Sequence, residues 1–211
     1  MSMHHTGTPG FIVVEGYDGS GKSTLLEGIR AGLPDRTFSL IGRKAGPRLA
    51  DLAAVLEADE RHAPESEMLV RLAVEFERTH LIEAAREEGD RVACDRGIVS
   101  AVSWFDYLGV ARSPFSGLVD ELEDYHRAAL TLVCRADFDT CWERSSQRPP
   151  EAQSRKDRLG RAVNARYFEQ YDANVVAYAA SGADVVVIDT ASQDIATATE
   201  TAIAAITARS L

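Results

Sequence analysis

Eight residues near the start of the chain have the types and spacing that hold phosphate groups. Residues 16–23, GYDGSGKS, match the pattern G-x-x-x-x-G-K-[ST] of a phosphate-binding loop, or P-loop. Its glycines let backbone N–H groups close around a phosphate, Lys22 can reach the β- and γ-phosphates, and the Ser23 hydroxyl can hold Mg²⁺. The residues predicted to bind a nucleotide here are Gly16, Tyr17, Asp18, Gly19, Ser20, Gly21, Lys22, Ser23 and Thr24.

The elements on either side of this loop are the ones that the chemistry requires. Residues 11–14 form a β-branched run typical of a buried strand, and Leu25, Leu26 and Ile29 recur at helical spacing. A strand, a glycine loop and a helix in this order place the positive end of the helix dipole at the phosphates. This context disfavours the alternative of a glycine-rich turn that binds nothing.

A second candidate region is a basic segment late in the chain. Residues 145–157 contain Pro149-Pro150 and many polar residues between two helical patterns, and several arginines flank them. A loop of this length inside a compact domain is usually functional. Local positive charge in a chain of net charge −10 suits a small anionic ligand. We therefore predict a mobile lid over the site, the alternative being a solvated surface loop.

Strand-like runs alternate with helical patterns, which is typical of a parallel α/β sheet. The predicted strands are residues 11–15, 37–41, 91–94, 130–134 and 184–188. The predicted helices run from the P-loop to about 32, from about 65 to 88 with Leu69, Leu72, Ala73 and Phe76 facing inward, from about 99 to 108, and from 193 to 208. At 211 residues and with no internal repeat, the chain is predicted to be one domain, 1–211.

Composition excludes several classes of protein. The acidic balance, 33 acidic against 23 basic residues, argues against a nucleic acid polymer as partner. No apolar run is long enough to span a membrane, and residues 1–10 lack the apolar core of a signal peptide. We expect residues 1–9 to be disordered, Cys94 and Cys134 to be buried thiols, and the protein to be cytoplasmic.

The whole chain resembles the thymidylate kinase family of nucleoside monophosphate kinases. The stretch FIVVEGYDGSGKST at residues 11–24 is similar to the opening of that family, and Asp95-Arg96 resembles its D-R motif. Residues 156–158, KDR, and 167–171, YFEQY, resemble the end of its lid and the helix that follows. The resemblance implies a three-layer α/β/α P-loop kinase fold with a five-stranded parallel sheet and a lid. It also implies ATP and Mg²⁺ as cofactors, a nucleoside monophosphate acceptor and a homodimer.

The resemblance also implies roles for single residues. Arg96 is placed at the end of a strand, where a cation can bind the acceptor phosphate. Asp95 would order the Mg²⁺ shell, while Asp18 and Glu15 resemble carboxylates that organise the acceptor. Ser100 matches the serine four residues after the arginine of the D-R motif. A local salt bridge is the alternative for Asp95-Arg96.

A cation must also neutralise the transferring phosphoryl group. Some members of the family carry this arginine in the P-loop, but here Ser20 stands at that position, so the lid must supply it. The candidates are Arg144, Arg148, Arg155 and Arg158. Arg158 is favoured by its motif and Arg148 by its place at the loop entrance, while Arg144 is predicted to bind the donor. The predicted catalytic residues are Asp18, Lys22, Arg96, Arg148 and Arg158.

The predicted acceptor pocket departs from the family. Residues 42–48, GRKAGPR, carry lysine where the family has an acid, with Arg43 as a candidate for substrate binding. Ala101, Trp104 and Phe105 replace polar or tyrosine groups and make the pocket more apolar. Arg78 is either the residue that reads the base or one partner of a helical ion pair with Glu75.

The sequence therefore predicts ATP-dependent phosphorylation of a nucleoside monophosphate, dTMP or a related nucleotide. Two alternatives stay open. One is a kinase of a nucleoside or another small molecule on the same scaffold, which the altered pocket leaves room for. The other is a nucleotide-binding regulator with little turnover, against which Lys22, Ser23 and Arg96 argue.

Overall fold

Five parallel strands form one sheet in the computed structural model, which describes residues 8–33, 38–42, 51, 54, 62–149, 153 and 156–211. The strands are β1 Thr8–Gly16, β2 Phe38–Ile41, β3 Arg91–Asp95, β4 Ala128–Arg135 and β5 Val185–Asp189. They lie in the order β2-β3-β1-β4-β5, with β1 at the centre. The predicted five-stranded parallel sheet is confirmed.

The register of these strands brings their carboxyl ends to one edge. Val14 of β1 lies opposite both Asp95 of β3 and Leu132 of β4, and Gly16 lies opposite Cys134. At this edge β1 is followed by the P-loop and β3 by Arg96. Ligands of open α/β sheets bind at such an edge.

Helices cover both faces of the sheet. They are α1 Lys22–Gly32, α2 Pro64–Glu87, α3 Ile98–Leu108, α4 Ser116–Tyr125, α5 Phe138–Ser146, α6 Arg161–Ala180 and α7 Ile195–Ala208. Because side chains alternate along a strand, Ile12 and Val14 pack with α1 and α7 while Phe11 and Val13 pack with α2 on the other face. The three-layer α/β/α architecture is therefore confirmed.

The structure corrects several predicted boundaries. The central strand begins at Thr8, which pairs with Ala128, so the prediction of disorder is wrong at residues 8 and 9. Residues 1–7 lie outside the described residues. The last helix begins at Ile195 because the Asp194 side chain caps its first turn by accepting a hydrogen bond from Thr197 N at 2.8 Å. Helix α4 was not predicted.

The segment predicted as a lid has helical ends. Helix α5 continues to Ser146, and a short 3₁₀ helix spans Lys156–Leu159. Residues 150–152 and 154–155, with Arg155 among them, lie outside the described residues.

The face that helix α2 presents to the core was predicted only in part. Leu72 is buried and Phe76 packs against the core, as predicted, but Leu69 is 50% exposed and Ala73 is exposed. The buried face also includes the charged residues Glu75 and Arg78. Because charged residues are expected on the exposed face, the spacing of apolar residues in the sequence did not identify the buried one. Within the described residues, no helix is long and apolar enough to cross a membrane.

Candidate active site

The P-loop turns tightly between β1 and α1. Gly19 has φ +82°, and a Cβ there would overlap the carbonyl oxygen of Cys141, so this position needs glycine. The Nζ of Lys22 donates hydrogen bonds of 2.8 Å to the carbonyl oxygens of Gly16 and Tyr17. The side chain of Lys22 is thus folded back over the P-loop. Its predicted role is to bind phosphate together with that loop.

The environment of Lys22 disfavours its charge. Burial, reinforced by the cation of Arg96, lowers the pKa of Lys22 to about 7. A bound polyphosphate would supply the negative charge that this group lacks. The site is therefore electrostatically suited to an anion.

The side chain of Tyr17 anchors the P-loop rather than lining it. Its hydroxyl donates to the carbonyl oxygen and to Oδ1 of Asn164, both at 3.0 Å, and its ring packs against Tyr167 and Phe168. The contribution of Tyr17 to a nucleotide site would come from its backbone.

Arg96 stands directly beside the P-loop. Its backbone has φ +69°, a left-handed conformation that is uncommon for a residue with a side chain. Its guanidinium forms an ion pair with Asp18, and Nη1 donates to Gly16 O at 3.0 Å and Ser100 Oγ at 3.3 Å. Burial alone would raise the pKa of Asp18, but the cations of Arg96, Lys156 and Lys22 hold it well below its usual value.

Glu15 fixes the turn that follows Arg96. Its buried Oε1 accepts from Gly97 N at 2.8 Å and Ser100 N at 3.0 Å, and Oε2 accepts from Ser100 Oγ at 2.6 Å and Tyr171 Oη at 3.0 Å. The carboxylate therefore holds the first turn of α3 in place. Its predicted contact with substrate stays a prediction, as does that of Ser100.

Arg78 lies beneath the same turn, with 0% exposure. Its Nη2 donates to Arg96 O at 2.6 Å and Asp95 O at 3.3 Å, and its Nη1 forms a 2.8 Å ion pair with Glu75. The pair with Glu75 exists, but it is buried rather than solvated. These contacts make Arg78 a support of the Asp95-Arg96 turn, while reading a base stays a prediction.

Lys156 is a site residue that the sequence analysis missed. Its Nζ lies 2.5 Å from Oδ2 of Asp18 and 3.9 Å from the ring centre of Tyr17. The available signal was its place directly before Asp157-Arg158, but a lone lysine in a segment predicted as a loop is usually solvated.

The candidate acceptor region combines apolar and charged groups. Ala101 and Phe105 are buried, and Trp104 is partly exposed. The guanidinium carbon of Arg71 lies 3.5 Å from the ring centre of Trp104, and Arg71 also donates to Glu67 at 2.6 Å. Sequence reasoning missed Arg71 because its helical position gave no motif. Arg43 lies outside the described residues.

The predicted lid arginines are dispersed. Arg144 donates to Thr190 O at 3.2 Å and Gly19 O at 3.5 Å, so it reaches the P-loop from α5. Arg148 lies 4.0 Å from Asp157, and Arg158 is exposed. The catalytic roles of the last two stay predictions.

A cavity of about 670 Å³ opens beside the P-loop. Its walls include Gly21 and Thr24 of the P-loop region, Arg144, Thr190 and Ile195. Its size and mainly apolar walls suit the base and sugar of a nucleotide whose phosphates enter the P-loop.

The site also fits a hydrated Mg²⁺ ion. The Oδ1 atom of Asp95 is buried and lacks a hydrogen-bond partner in the described part of the chain, and Ser23 is exposed at the start of α1. Among the described residues no three His, Cys, Asp or Glu side chains cluster to hold a metal. A serine and one carboxylate therefore suit a cation that is shared with nucleotide phosphates.

A parallel sheet with β1 at its centre, a P-loop after β1 and an aspartate–arginine pair at the end of β3 are the features of a P-loop nucleotide kinase. A family model described as an AAA domain matches residues 11–180. The chain belongs to the thymidylate kinase-like family of these P-loop proteins.

Three curated relatives illustrate the family, and each of them is a thymidylate kinase. The protein from Halalkalibacterium halodurans is 28% identical over 80% of this chain and 83% of its own length. That from Bordetella petrii is 31% identical over 80% of this chain and 81% of its own. That from Ruegeria pomeroyi is 36% identical over 68% of this chain and 71% of its own.

Proposed function

We propose that this nucleotide kinase transfers the γ-phosphoryl group of ATP, with Mg²⁺, to a nucleoside monophosphate that is dTMP or a related nucleotide. One observation carries the proposal. Arg96 donates to Gly16 O at 3.0 Å, so a second cation besides Lys22 lies at the edge of the P-loop, where it could bind the acceptor phosphate. Two anionic substrates that exchange a phosphoryl group need such a pair of sites.

The residues of the chain divide the work of this transfer. The P-loop backbone and Lys22 bind the donor phosphates, and Arg96 orients the acceptor phosphate. Ser23 and Asp95 would hold Mg²⁺, which neutralises phosphate charge when it is bound. Glu15 and Arg78 keep Arg96 in its left-handed turn, and the cavity beside Arg144 would take the nucleoside of ATP.

A second candidate is a kinase that acts on a different small molecule. The stacking of Arg71 on Trp104 supports this candidate. The pair would give the wall facing the acceptor base a different chemistry from the one that the family resemblance implies. When the polar groups of a site do not pair with a given base, kcat/KM for the nucleotide that carries this base is strongly reduced.

The test is ADP release with Mg²⁺-ATP and each ribo- and deoxynucleoside monophosphate, the matching nucleosides, or no acceptor. We expect turnover with dTMP or a related monophosphate. ADP release that never exceeds the rate without acceptor would refute the proposal, and turnover only with nucleosides would favour the second candidate. Lys22→Ala should abolish turnover with an unchanged circular dichroism spectrum.

We also propose that the protein is a cytoplasmic homodimer. The resemblance to thymidylate kinases supports both statements. An apolar strip of α2, formed by Leu69 and Ala73, supports the dimer because both residues are exposed.

A further inference from the structure

Lys156 is a buried cation at the meeting point of the lid and the P-loop. It is 4% exposed, although it lies in the short 3₁₀ helix just before α6. Its ammonium group contacts Oδ2 of Asp18 at 2.5 Å and lies 3.9 Å and 4.5 Å from the ring centres of Tyr17 and Tyr167. The end of the lid segment is thereby fixed to the P-loop through one charge.

Burying this charge costs free energy that its partners must offset. Burial lowers the pKa of Lys156, while Asp18 raises it. The two aromatic faces add cation–π attraction, which is stronger away from water. Asp157, also buried, is a further source of negative charge near Lys156.

Asp18 is shared between two cations. Its other carboxylate oxygen pairs with Arg96, and Lys22 also influences its pKa. Glu15, the other carboxylate near Arg96, already accepts hydrogen bonds at both of its oxygens. Lys22, Arg96 and Lys156 thus surround Asp18, and this group of positive charges can accommodate a further anion.

We propose that Lys156 is the lid cation that binds the phosphoryl group under transfer, and that Asp18 holds this cation in place in the ligand-free protein. The inference rests on the proposed function and deepens it. An oxygen of the phosphoryl group replaces Asp18 as the partner of Lys156. Tyr17 and Tyr167 keep the ammonium group directed at the P-loop during this exchange.

The chemical step needs no proton from Lys156. The bond between the γ-phosphorus and the oxygen that leaves with ADP breaks, and a bond forms between that phosphorus and an oxygen of the acceptor phosphate. Lys156 acts as a fixed positive charge next to the oxygens on which negative charge is spread.

The arginines of the same region are placed less well for this role. Arg148 is 37% exposed on its side chain and lies near Asp157, and Arg158 is exposed. Arg144 is held by backbone carbonyl oxygens and lines the cavity that would take the donor nucleoside. Among the described basic residues from 144 to 161, Lys156 is the one whose cation pairs with a carboxylate of the P-loop.

The kinetic test compares Lys156→Ala and Lys156→Arg with the wild type, using the acceptor that gives the highest turnover. We expect kcat to fall roughly 100-fold or more in Lys156→Ala, as for other lost charge-stabilising groups, with KM for ATP nearly unchanged. Lys156→Arg should restore part of kcat. Arg161→Ala is the matched control, because it removes a cation that pairs with Asp139 outside the site.

A second measurement needs no acceptor. ADP with aluminium fluoride mimics the phosphoryl group in transfer, and we expect Lys156→Ala to bind this pair at least about 10-fold more weakly while its affinity for ADP alone is retained. Circular dichroism checks the fold of each variant. A wild-type protein that phosphorylates no monophosphate would refute the proposed function, and this binding experiment would still test Lys156.

Two results would overturn the assignment. One is kcat and aluminium fluoride binding of Lys156→Ala within threefold of the wild type. The other is a large loss of kcat in Arg148→Ala or Arg158→Ala that Lys156→Ala does not show.

Discussion

At the scale of single residues, the site is defined by three cations that share one carboxylate. Lys22, Arg96 and Lys156 meet around Asp18, whose pKa they hold low even though burial opposes this. Such a group is stable without ligand only because each cation has a temporary partner within the chain. The partner of Lys22 is a pair of carbonyl oxygens, which do not neutralise it.

This arrangement predicts proton uptake when a nucleotide binds. With a pKa of about 7, Lys22 is largely neutral at pH 8 in the empty protein, and bound phosphates raise its pKa and protonate it. Calorimetry of ADP binding in buffers of different ionisation enthalpy should show uptake approaching one proton at pH 8. Uptake should vanish at pH 6, where Lys22 is already charged, and affinity should fall as the pH rises above 7.

Lys22→Met provides the control for this linkage. The variant has no ammonium group, so its residual ADP binding should be free of the uptake at pH 8. Equal uptake in the wild type and in Lys22→Met would assign the proton to another group.

The single residues that could be predicted are those with a fixed place in a motif. Lys22, Asp95 and Arg96 follow directly from spacing after a strand. Lys156 could not be found in this way, because its partner Asp18 is remote in the sequence and its burial depends on the packing of Tyr17 and Tyr167.

At the scale of elements, α2 acts as a support for the turn between β3 and α3. Arg78 reaches from this helix to the carbonyl oxygens of Asp95 and Arg96, and Glu75 neutralises it. The left-handed conformation of Arg96 therefore depends on the helix that directly precedes β3, through a residue 18 positions earlier in the chain.

A double-variant experiment separates support of the turn from stability of the fold. Glu75→Leu or Arg78→Leu alone leaves a buried charge unpaired and should lower the free energy of unfolding by about 3–5 kcal/mol. The double variant should regain most of this stability, since a buried pair can often be replaced by apolar groups. Its kcat should stay low, because the turn has lost its donor.

Urea unfolding and steady-state kinetics are the measurements for this pair. If the Glu75→Leu, Arg78→Leu double variant is as unstable as either single variant, the unpaired charge is not the cause of the lost stability. Wild-type kcat in the double variant would show that the turn does not need Arg78.

The contact between α1 and α7 gives a second prediction for elements. A Cβ at Gly28 would overlap Oγ1 of Thr199, which is buried and has no hydrogen-bond partner among the described residues. Gly28→Ala should therefore lower stability by roughly 1–3 kcal/mol. Thr199→Ala removes the obstructing atoms. The free energy of unfolding of the double variant should therefore exceed that of Thr199→Ala alone by up to about 1 kcal/mol, because alanine has a higher helix propensity than glycine.

Thermal unfolding of the three variants and the wild type measures these effects. Additive losses in the double variant would contradict the close contact of the two helices at this point.

Strands and helices were predicted well where the apolar residues follow a single pattern of spacing. The five strands are apolar runs between turn signals, and each predicted run overlaps an observed strand. Helix α2 was predicted in extent, but its buried face was predicted only in part, because Glu75 and Arg78 are buried as a pair. Helix α4 carries only Val119 and Leu122 as buried residues, too few to give a clear period.

At the scale of the whole molecule, the sheet edge brings three cations together around Asp18 in a chain of net charge −10. The P-loop, the Asp95-Arg96 turn and Lys156 come from three separate parts of the sequence and meet because β1 pairs directly with β3 and β4. A net negative charge on the chain opposes the binding of polyanions, and local cations can still attract a small phosphate.

The remaining feature at this scale is the outward strip of α2. Leu69 is 50% exposed, and the exposed Ala73 follows it at helical spacing on the same side. If two chains associate through this strip, light scattering after size exclusion should give twice the mass of one chain for the wild type and a single mass for Leu69→Glu, because a buried unpaired carboxylate opposes association. Leu118→Glu, an equally polar change at an exposed leucine of α4, should leave the mass doubled. A monomeric wild type, or a dimer that survives Leu69→Glu, would contradict the proposed interface.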